Sequence, residues 1–333
     1  MTIESFCNLV WNLSYVQVSQ SINKTEYKEF NIPKKNGVRK INYLPHTSKL
    51  FDLQKGLTRY FSRQELPICV KGFRKNENYL SYLEPHVSAK YFFRVDIKDF
   101  FPSITIPVIK QELEHFLMFD TQKDKDQILD VLCNVVTYNG VIPQGAPSSP
   151  MISNLVMIRI DQRITRYCQS LGVSYTRYAD DMLFSSGEFD FSLKKWFLKK
   201  IKHILSSNNL KLNYSKIKYG DKEIPLNGYV LSENGIRLSR EKLSDIRIAL
   251  SFSKNNYALA KTNPDVFLRN VNLIPLKHRN LQQYPFKNIH QYLQFLCGYR
   301  AYLISFFSFD IDSLFSKKIK KIVNDIEMQL TKY

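Results

Sequence analysis

Tyr178-Ala179-Asp180-Asp181 separates two strand-like stretches, Val173-Ser174-Tyr175-Thr176-Arg177 and Met182-Leu183-Phe184-Ser185-Ser186. Two carboxylates at the tip of a hairpin raise each other's pKa unless something neutralises them. A second acidic cluster, Asp96-Ile97-Lys98-Asp99-Phe100-Phe101, follows another strand-like run, Tyr91-Phe92-Phe93-Arg94-Val95. Each cluster caps an apolar strand, and a helix between them can pack beneath both. If the strands lie side by side, Asp96 and Asp180 converge. Oxygen-only ligands of this kind suit Mg²⁺ and phosphoryl transfer.

Composition points to the partner. Lys+Arg 48 against Asp+Glu 30 leaves a net charge of +18, which favours a polyanion because each phosphate neutralised releases counterions. Local acid within global base is the arrangement that nucleic-acid synthesis requires. The 333 residues, 44% hydrophobic and 14% aromatic, describe a folded chain of one large domain or two to three subdomains. Cys7, Cys69, Cys133, Cys168 and Cys297 are scattered, without a Cys-x-x-Cys pair, and the histidines are dispersed, so neither a disulfide frame nor a zinc site is expected. The first residues carry an early acid and no basic region ahead of an apolar core, and no apolar run approaches the ~20 residues that span a bilayer. A cytoplasmic protein without a membrane partner is expected.

Residues 32–43 read as a basic hairpin, with Asn36-Gly37 at its turn. Helical spacing is expected over 105–117. A second helix is expected from Ser148 or Ser149 as N-cap, with Pro150 in the first turn, to about Gln169. Residues 191–220 hold eight lysines and no acid, with Leu193, Trp196, Phe197, Ile201, Ile204 and Leu205 on one face. That pattern reads as a core-packed helix with a solvated basic face. After Ser239 the pattern is mostly helical and basic.

Five blocks, in order, resemble the reverse transcriptase motif series: the basic hairpin 32–43, the Asp96 block, Pro143-Gln144-Gly145-Ala146-Pro147-Ser148-Ser149-Pro150, the Asp180-Asp181 hairpin, and Leu212-Asn213-Tyr214-Ser215-Lys216. A sixth, Leu226-Asn227-Gly228-Tyr229-Val230-Leu231, resembles the primer-side turn that follows. The resemblance implies an α+β right-hand polymerase: fingers over 1–90 with an N-terminal helical region, a palm with an antiparallel sheet over 91–235 (including a helical finger-side insertion about 103–140), and a helical thumb over 236–333. It implies that Asp96, Asp180 and Asp181, with the Ile97 carbonyl, hold two Mg²⁺ ions. Lys35 and Arg39 would grip the triphosphate, Gln144 would contact the incoming nucleotide, and Phe101 would lie under its sugar and exclude a 2′-hydroxyl. Lys216 is placed like the family's general acid toward pyrophosphate, and Leu226, Asn227 and Gly228 would contact nucleic acid.

Within the family, Val70-Lys71-Gly72-Phe73-Arg74, followed by Pro85-His86-Val87, resembles the compact bacterial retron-type enzymes. The implied function is RNA-directed DNA synthesis from dNTPs on a structured noncoding RNA that serves as template and primer. The product would be DNA and an RNA–DNA hybrid, in anti-phage defence, with an effector protein encoded nearby. Two positions depart from the retron pattern. Tyr82 and Leu83 stand where retrons typically have Asn-Ala, and Leu226-Asn227-Gly228 stands where they typically have Val-Thr-Gly. Related defence-associated reverse transcriptases, with a different template or none, are the alternative within the family. Outside it stand an RNA-dependent RNA polymerase, against which Phe101 argues, and a noncatalytic RNA-binding scaffold, against which the retained carboxylates argue.

Overall fold

The computed structural model describes residues 1–34, 37–307 and 314–333, and the chain divides into two compact units, Met1–Lys222 and Glu223–Tyr333. The division lies just ahead of three strands that pair only among themselves.

In the first unit, β1 (Lys28–Lys34) and β2 (Gly37–Tyr43) form the basic hairpin, paired antiparallel from Lys28↔Tyr43 to Lys34↔Gly37. The second sheet contains β3 (Tyr91–Asp96), β4 (Ser174–Tyr178), β5 (Asp181–Ser186) and β6 (Lys218–Asp221), in the order β4-β5-β3-β6 with every pair antiparallel. β5 is buried along its whole length, so its Met182-Leu183-Phe184 run is continuous and does not alternate. The core beneath is built by helices whose apolar residues recur at helical spacing. Lys49–Phe61 buries Leu50, Leu53, Leu57 and Phe61, and its N-cap Ser48 accepts a hydrogen bond from the Phe51 amide.

The Ser149–Gln169 helix runs as its spacing predicts, with Pro150 in the first turn, and buries Ile152, Leu155, Val156, Ile160 and Ile164. The 105–117 stretch is helical over Ile106–Leu113 and tightens to a 3-10 turn at Glu114–Phe116. The basic helix starts later than expected, at Lys195–Ser206. Its Phe197, Ile201, Ile204 and Leu205 are buried; Leu193, which precedes the first helical turn, is exposed, and Trp196 is half-exposed with its ring packed edge-on against Phe189.

The second unit holds β7 (Glu223–Leu226), β8 (Tyr229–Ser232) and β9 (Gly235–Leu238) as an antiparallel meander. Helices follow at Arg240–Thr262, Pro264–Val271, Ile289–Phe307 and Leu314–Leu330. Ser239 caps the first of these. Buried Asp245 accepts from the amides of Lys277 and His278 and from His278 Nδ1, tying the loop after Val271 to that helix. Among the described residues no helix is long and apolar enough to cross a membrane, and the five cysteines are free thiols, four of them buried.

Beneath the β4–β5 turn lies a fully buried ion pair. Arg177 binds Asp161 of the Ser149–Gln169 helix at 2.7 Å, and both side chains are wholly excluded from solvent. The guanidinium also donates to the Asn154 side chain at 3.2 Å and to the Ala179 carbonyl at 2.9 Å, while Tyr175 OH donates to Asp161 at 2.8 Å. Removing one member of such a pair strands a buried charge. Asp161→Asn is therefore expected to lower unfolding free energy by about 3–5 kcal/mol in urea titrations. Arg177→Met combined with Asp161→Leu should recover much of that loss.

Candidate active site

The register of the four-stranded sheet brings the two acidic clusters together. Asp96, the last residue of β3, lies directly opposite Asp181, the first of β5, and the Ile97 amide donates to the Asp180 carbonyl at 3.0 Å. Tyr178 pairs with Asp181, which leaves Ala179 and Asp180 as a two-residue turn. Ala179 adopts φ +57°, at a turn position that favours glycine. The Arg177 guanidinium holds that residue's carbonyl, so the buried pair below fixes the backbone that presents the acids. The stretch Leu212-Asn213-Tyr214-Ser215-Lys216 runs beside Asp96. Ile97 bridges Leu212, the Lys98 amide donates to the Lys211 carbonyl at 2.8 Å, and the Asn213 amide donates to the Asp96 carbonyl at 2.8 Å.

Each carboxylate is in a different electrostatic position. Asp96 is buried; Lys216 Nζ donates to its Oδ2 at 2.7 Å and Asn213 Nδ2 to its Oδ1 at 3.2 Å. Asp181 is gripped by Arg94, whose Nη2 reaches Oδ1 at 2.6 Å and Oδ2 at 2.7 Å. Burial pushes the Asp181 carboxyl above its ordinary range, against the pull of Arg94. Asp180 is in no ion pair among the described residues. Burial first, then the neighbouring Asp96 and Asp181, raises it from the ordinary 3.8 to about 6.

Among the described residues no three Asp, Glu, His or Cys side chains are arranged as a ready cage for a metal ion. Asp96 and Asp181 are turned to Lys216 and Arg94 instead. The donor set nevertheless fits a hard divalent cation, because three carboxylates share one strand end and Asp180, raised by burial and then by its acidic neighbours, is in no ion pair among the described residues.

The remaining expected residues divide by location. Phe101, in the short Phe100–Ser103 helix, is partly buried against the core and packs on Phe100 at 5.5 Å and Phe73 at 6.3 Å between ring centroids. The Gln144 carbonyl accepts from the Asn42 amide of β2 at 2.8 Å. At the adjacent Gly145 (φ +112°), a Cβ would come within 2.5 Å of Ile41, so the hairpin seats directly on this loop. Arg39 is exposed on β2, and Lys35, with Asn36, lies outside the described residues. Leu226, Asn227 and Gly228 belong to the second unit, where Asn227 (φ +47°) and Gly228 (φ +90°) turn β7 into β8.

Sequence reading passed over several residues on which this site rests. Arg94 had a signal: a lone charge inside an apolar strand, two residues before Asp96, needs a buried partner. Asp161 and Arg177 gave little, being single charges in otherwise ordinary elements. His86 proves structural. It is fully buried between Ser185 and Thr176 hydroxyls, both at 2.7 Å, and burial lowers its pKa to about 3. Tyr82 is fully buried against Tyr79 and Tyr178, at 5.2 and 5.9 Å between ring centroids.

The family described as reverse transcriptase (RNA-dependent DNA polymerase) matches residues 18–231. The retron Ec86 reverse transcriptase of Escherichia coli is 34% identical over 180 residues, 53% of this chain and 53% of that protein. The retron Mx65 reverse transcriptase of Myxococcus xanthus is 29% identical over 176 residues, 49% of this chain and 41% of that one. The chain thus spans about half the length of these curated relatives. Among solved structures, telomerase from Candida albicans in complex with a fragment of telomeric RNA matches at a TM-score of 0.47 and 12% identity, covering 91% of this chain and 63% of that one.

The raised Asp180 carboxyl has a sign that can be measured. The folded protein holds this proton more tightly than the unfolded chain. The group's stabilising contribution is therefore complete below about pH 3.8 and is lost as pH rises through about 6. At pH 7.5 in a chelator, Asp180→Asn should raise unfolding free energy by on the order of 2 kcal/mol and flatten the profile between pH 4 and 6. Added Mg²⁺ should raise the melting temperature of the parent protein more than that of the variant.

Proposed function

The chain belongs to the reverse transcriptase (RNA-dependent DNA polymerase) family, and on that premise we propose that it is a retron-type enzyme adding deoxynucleotides to a primer on an RNA template. The observation that carries this reading is the meeting of Asp96 with Asp180 and Asp181 at one strand end, in a chain of net charge +18.

Asp96 and Asp180, with Asp181 beside them and the Ile97 carbonyl, would hold two Mg²⁺ ions. Bound there, the ions supply activation of the primer hydroxyl and neutralisation of the triphosphate. Arg94 keeps Asp181 oriented at the edge of this set. Lys216 is an ammonium already within the site, able to give a proton to departing pyrophosphate. Gln144, beside β2, contacts the incoming nucleotide, and Lys35 and Arg39 of the hairpin bind its phosphates. Phe101 sits beneath the sugar and disfavours a 2′-hydroxyl. The turn at Leu226, Asn227 and Gly228 contacts nucleic acid. A structured noncoding RNA supplies template and primer, in anti-phage defence with an effector protein.

One observation favours a second reading, a related defence-associated reverse transcriptase with a different template or none. Tyr82 and Leu83, which replace the retron Asn-Ala pair, are both fully buried, so they leave no side chain there to read RNA. Sequencing the nucleic acid that copurifies with the protein separates the two. A branched RNA–DNA species supports the retron reading, and repetitive or unprimed DNA supports the other.

Asp180→Asn with Asp181→Asn should reduce primer extension at least about a thousandfold while RNA binding persists. Wild-type-like extension by that variant would reject the metal assignment. RNA affinity itself should fall steeply with salt, as phosphate neutralisation requires.

A further inference from the structure

Phe73 holds a backbone conformation that its own side chain disfavours. Its φ is +58°, a left-handed conformation that is an outlier for a bulky side chain. The residue is 44% exposed, so burial does little to offset the strain. The backbone on either side leaves it no alternative. The Lys71 and Gly72 amides both donate to the Arg177 carbonyl, at 2.8 and 3.3 Å, and Asn154 Nδ2 donates to the Gly72 carbonyl at 3.0 Å. A Cβ at Gly72 would lie 2.5 Å from the Ala179 amide nitrogen, so this loop is pressed against the turn that carries Asp180. On the other side, Arg74 Nη1 donates to the Pro67 carbonyl at 3.0 Å, and Lys71 pairs with Glu77 at 2.9 Å. Strain that the surroundings impose on an exposed side chain next to a reactive centre is a mark of function.

The neighbour that Phe73 meets is Phe101, with ring centroids 6.3 Å apart and planes inclined by 51°, within the range of a favourable aromatic pair. Phe100 packs against Phe101 as well, at 5.5 Å. Phe101 is thus in contact with one core ring and with one ring supplied by a loop that is itself fixed to the catalytic turn.

We propose that Phe73 is a positioning residue for sugar selection: its ring props Phe101 in the orientation that excludes a 2′-hydroxyl, and so sets the preference for deoxynucleoside over ribonucleoside triphosphates. This rests on the reading of Phe101 as the wall beneath the sugar. It adds that the wall is adjustable from the loop at 67–77, outside the segment that carries Phe101.

The left-handed backbone makes the test unusually clean. Glycine adopts positive φ without penalty, so Phe73→Gly removes the ring and relieves the strain together. The measurement is single-nucleotide extension of an RNA-templated primer with matched dNTP and rNTP, giving kcat/KM for each, alongside thermal melts. Phe73→Gly is expected to fold as stably as the parent and to lose about tenfold or more in the dNTP/rNTP ratio. The loss should come through improved use of rNTP, and Phe73→Tyr should keep the parental ratio. Phe73→Leu, which removes the ring but keeps an apolar side chain, gives the same comparison if the glycine variant does not fold. Phe101→Ala is the reference. If it loses selectivity while Phe73→Gly and Phe73→Leu keep the parental ratio, the propping role is overturned and the wall stands. If Phe101→Ala itself discriminates like the parent, wall and prop fall together. An equal loss with both nucleotides would also overturn the proposal, since it reports a damaged site and not an altered gate.

Discussion

Asp96 and Asp181 face one another across a single register step, with Asp180 at the adjoining turn, and three carboxylates at one strand end repel. The first unit is organised around tolerating that crowd. Arg94 compensates Asp181 from within the same sheet, Lys216 compensates Asp96 from the neighbouring segment, and Asp180 is left to carry the residual strain as a raised pKa. The backbone that holds the acids together is secured one layer deeper. There Arg177 spends its guanidinium on Asp161, Asn154 and the Ala179 carbonyl. A carboxylate cluster assembled on loops would spread to relieve its repulsion; assembled on β3 and β5, with the turn bolted to a helix, it cannot.

That deeper layer also recruits parts of the chain that are remote in sequence. Val70 bridges Arg177 in parallel, so the loop before the Tyr79–Leu83 helix acts as an extra edge beside β4. His86, neutral and buried, clamps β4 to β5 through Thr176 and Ser185. Thr176 also donates to the Tyr82 carbonyl at 2.8 Å. The hydroxyl of Tyr82 is buried without a hydrogen-bond partner among the described residues, a cost of about 1–3 kcal/mol that its aromatic contacts with Tyr79 and Tyr178 must offset. These contacts make the back of the β4–β5 hairpin an aromatic and hydroxyl network in which a substitution at one residue is felt at the turn.

Much of this was legible in the sequence because two periodicities and two clusters agreed. Apolar strands ending in acids located β3 and β5, helical spacing located the Ser149–Gln169 helix, and the order of the blocks specified the family. What escaped reading was pairwise. Arg94 and Asp181 are 87 positions apart, and nothing local says that one will find the other. Phe73 stood in the retron-like block with nothing to show its left-handed backbone, because φ is not written in residue type. The extent of the basic face also escaped. Leu193 fits an apolar stripe by spacing, yet the helix begins only at Lys195, so Leu193 lies outside it and faces water. Spacing fixes phase along a helix but not where the helix starts, and Lys194 offers no side-chain cap to mark that point.

The two cations at the site differ in a way that separates their roles. Arg94 is only 12% exposed in its side chain and binds Asp181 through both carboxylate oxygens, a geometry that costs heavily to break once desolvated. Lys216 is 51% exposed, while its partner Asp96 is 5% exposed. A half-solvated ammonium on a flexible stem loses little by leaving, whereas the buried carboxylate it abandons must at once be neutralised by something else. Arg94 is therefore a fixed part of the architecture, and Lys216 is an exchangeable counter-charge. Asp181 is thus held at the strand end by a buried partner, whereas Asp96 is the buried carboxylate whose counter-charge is half-exposed.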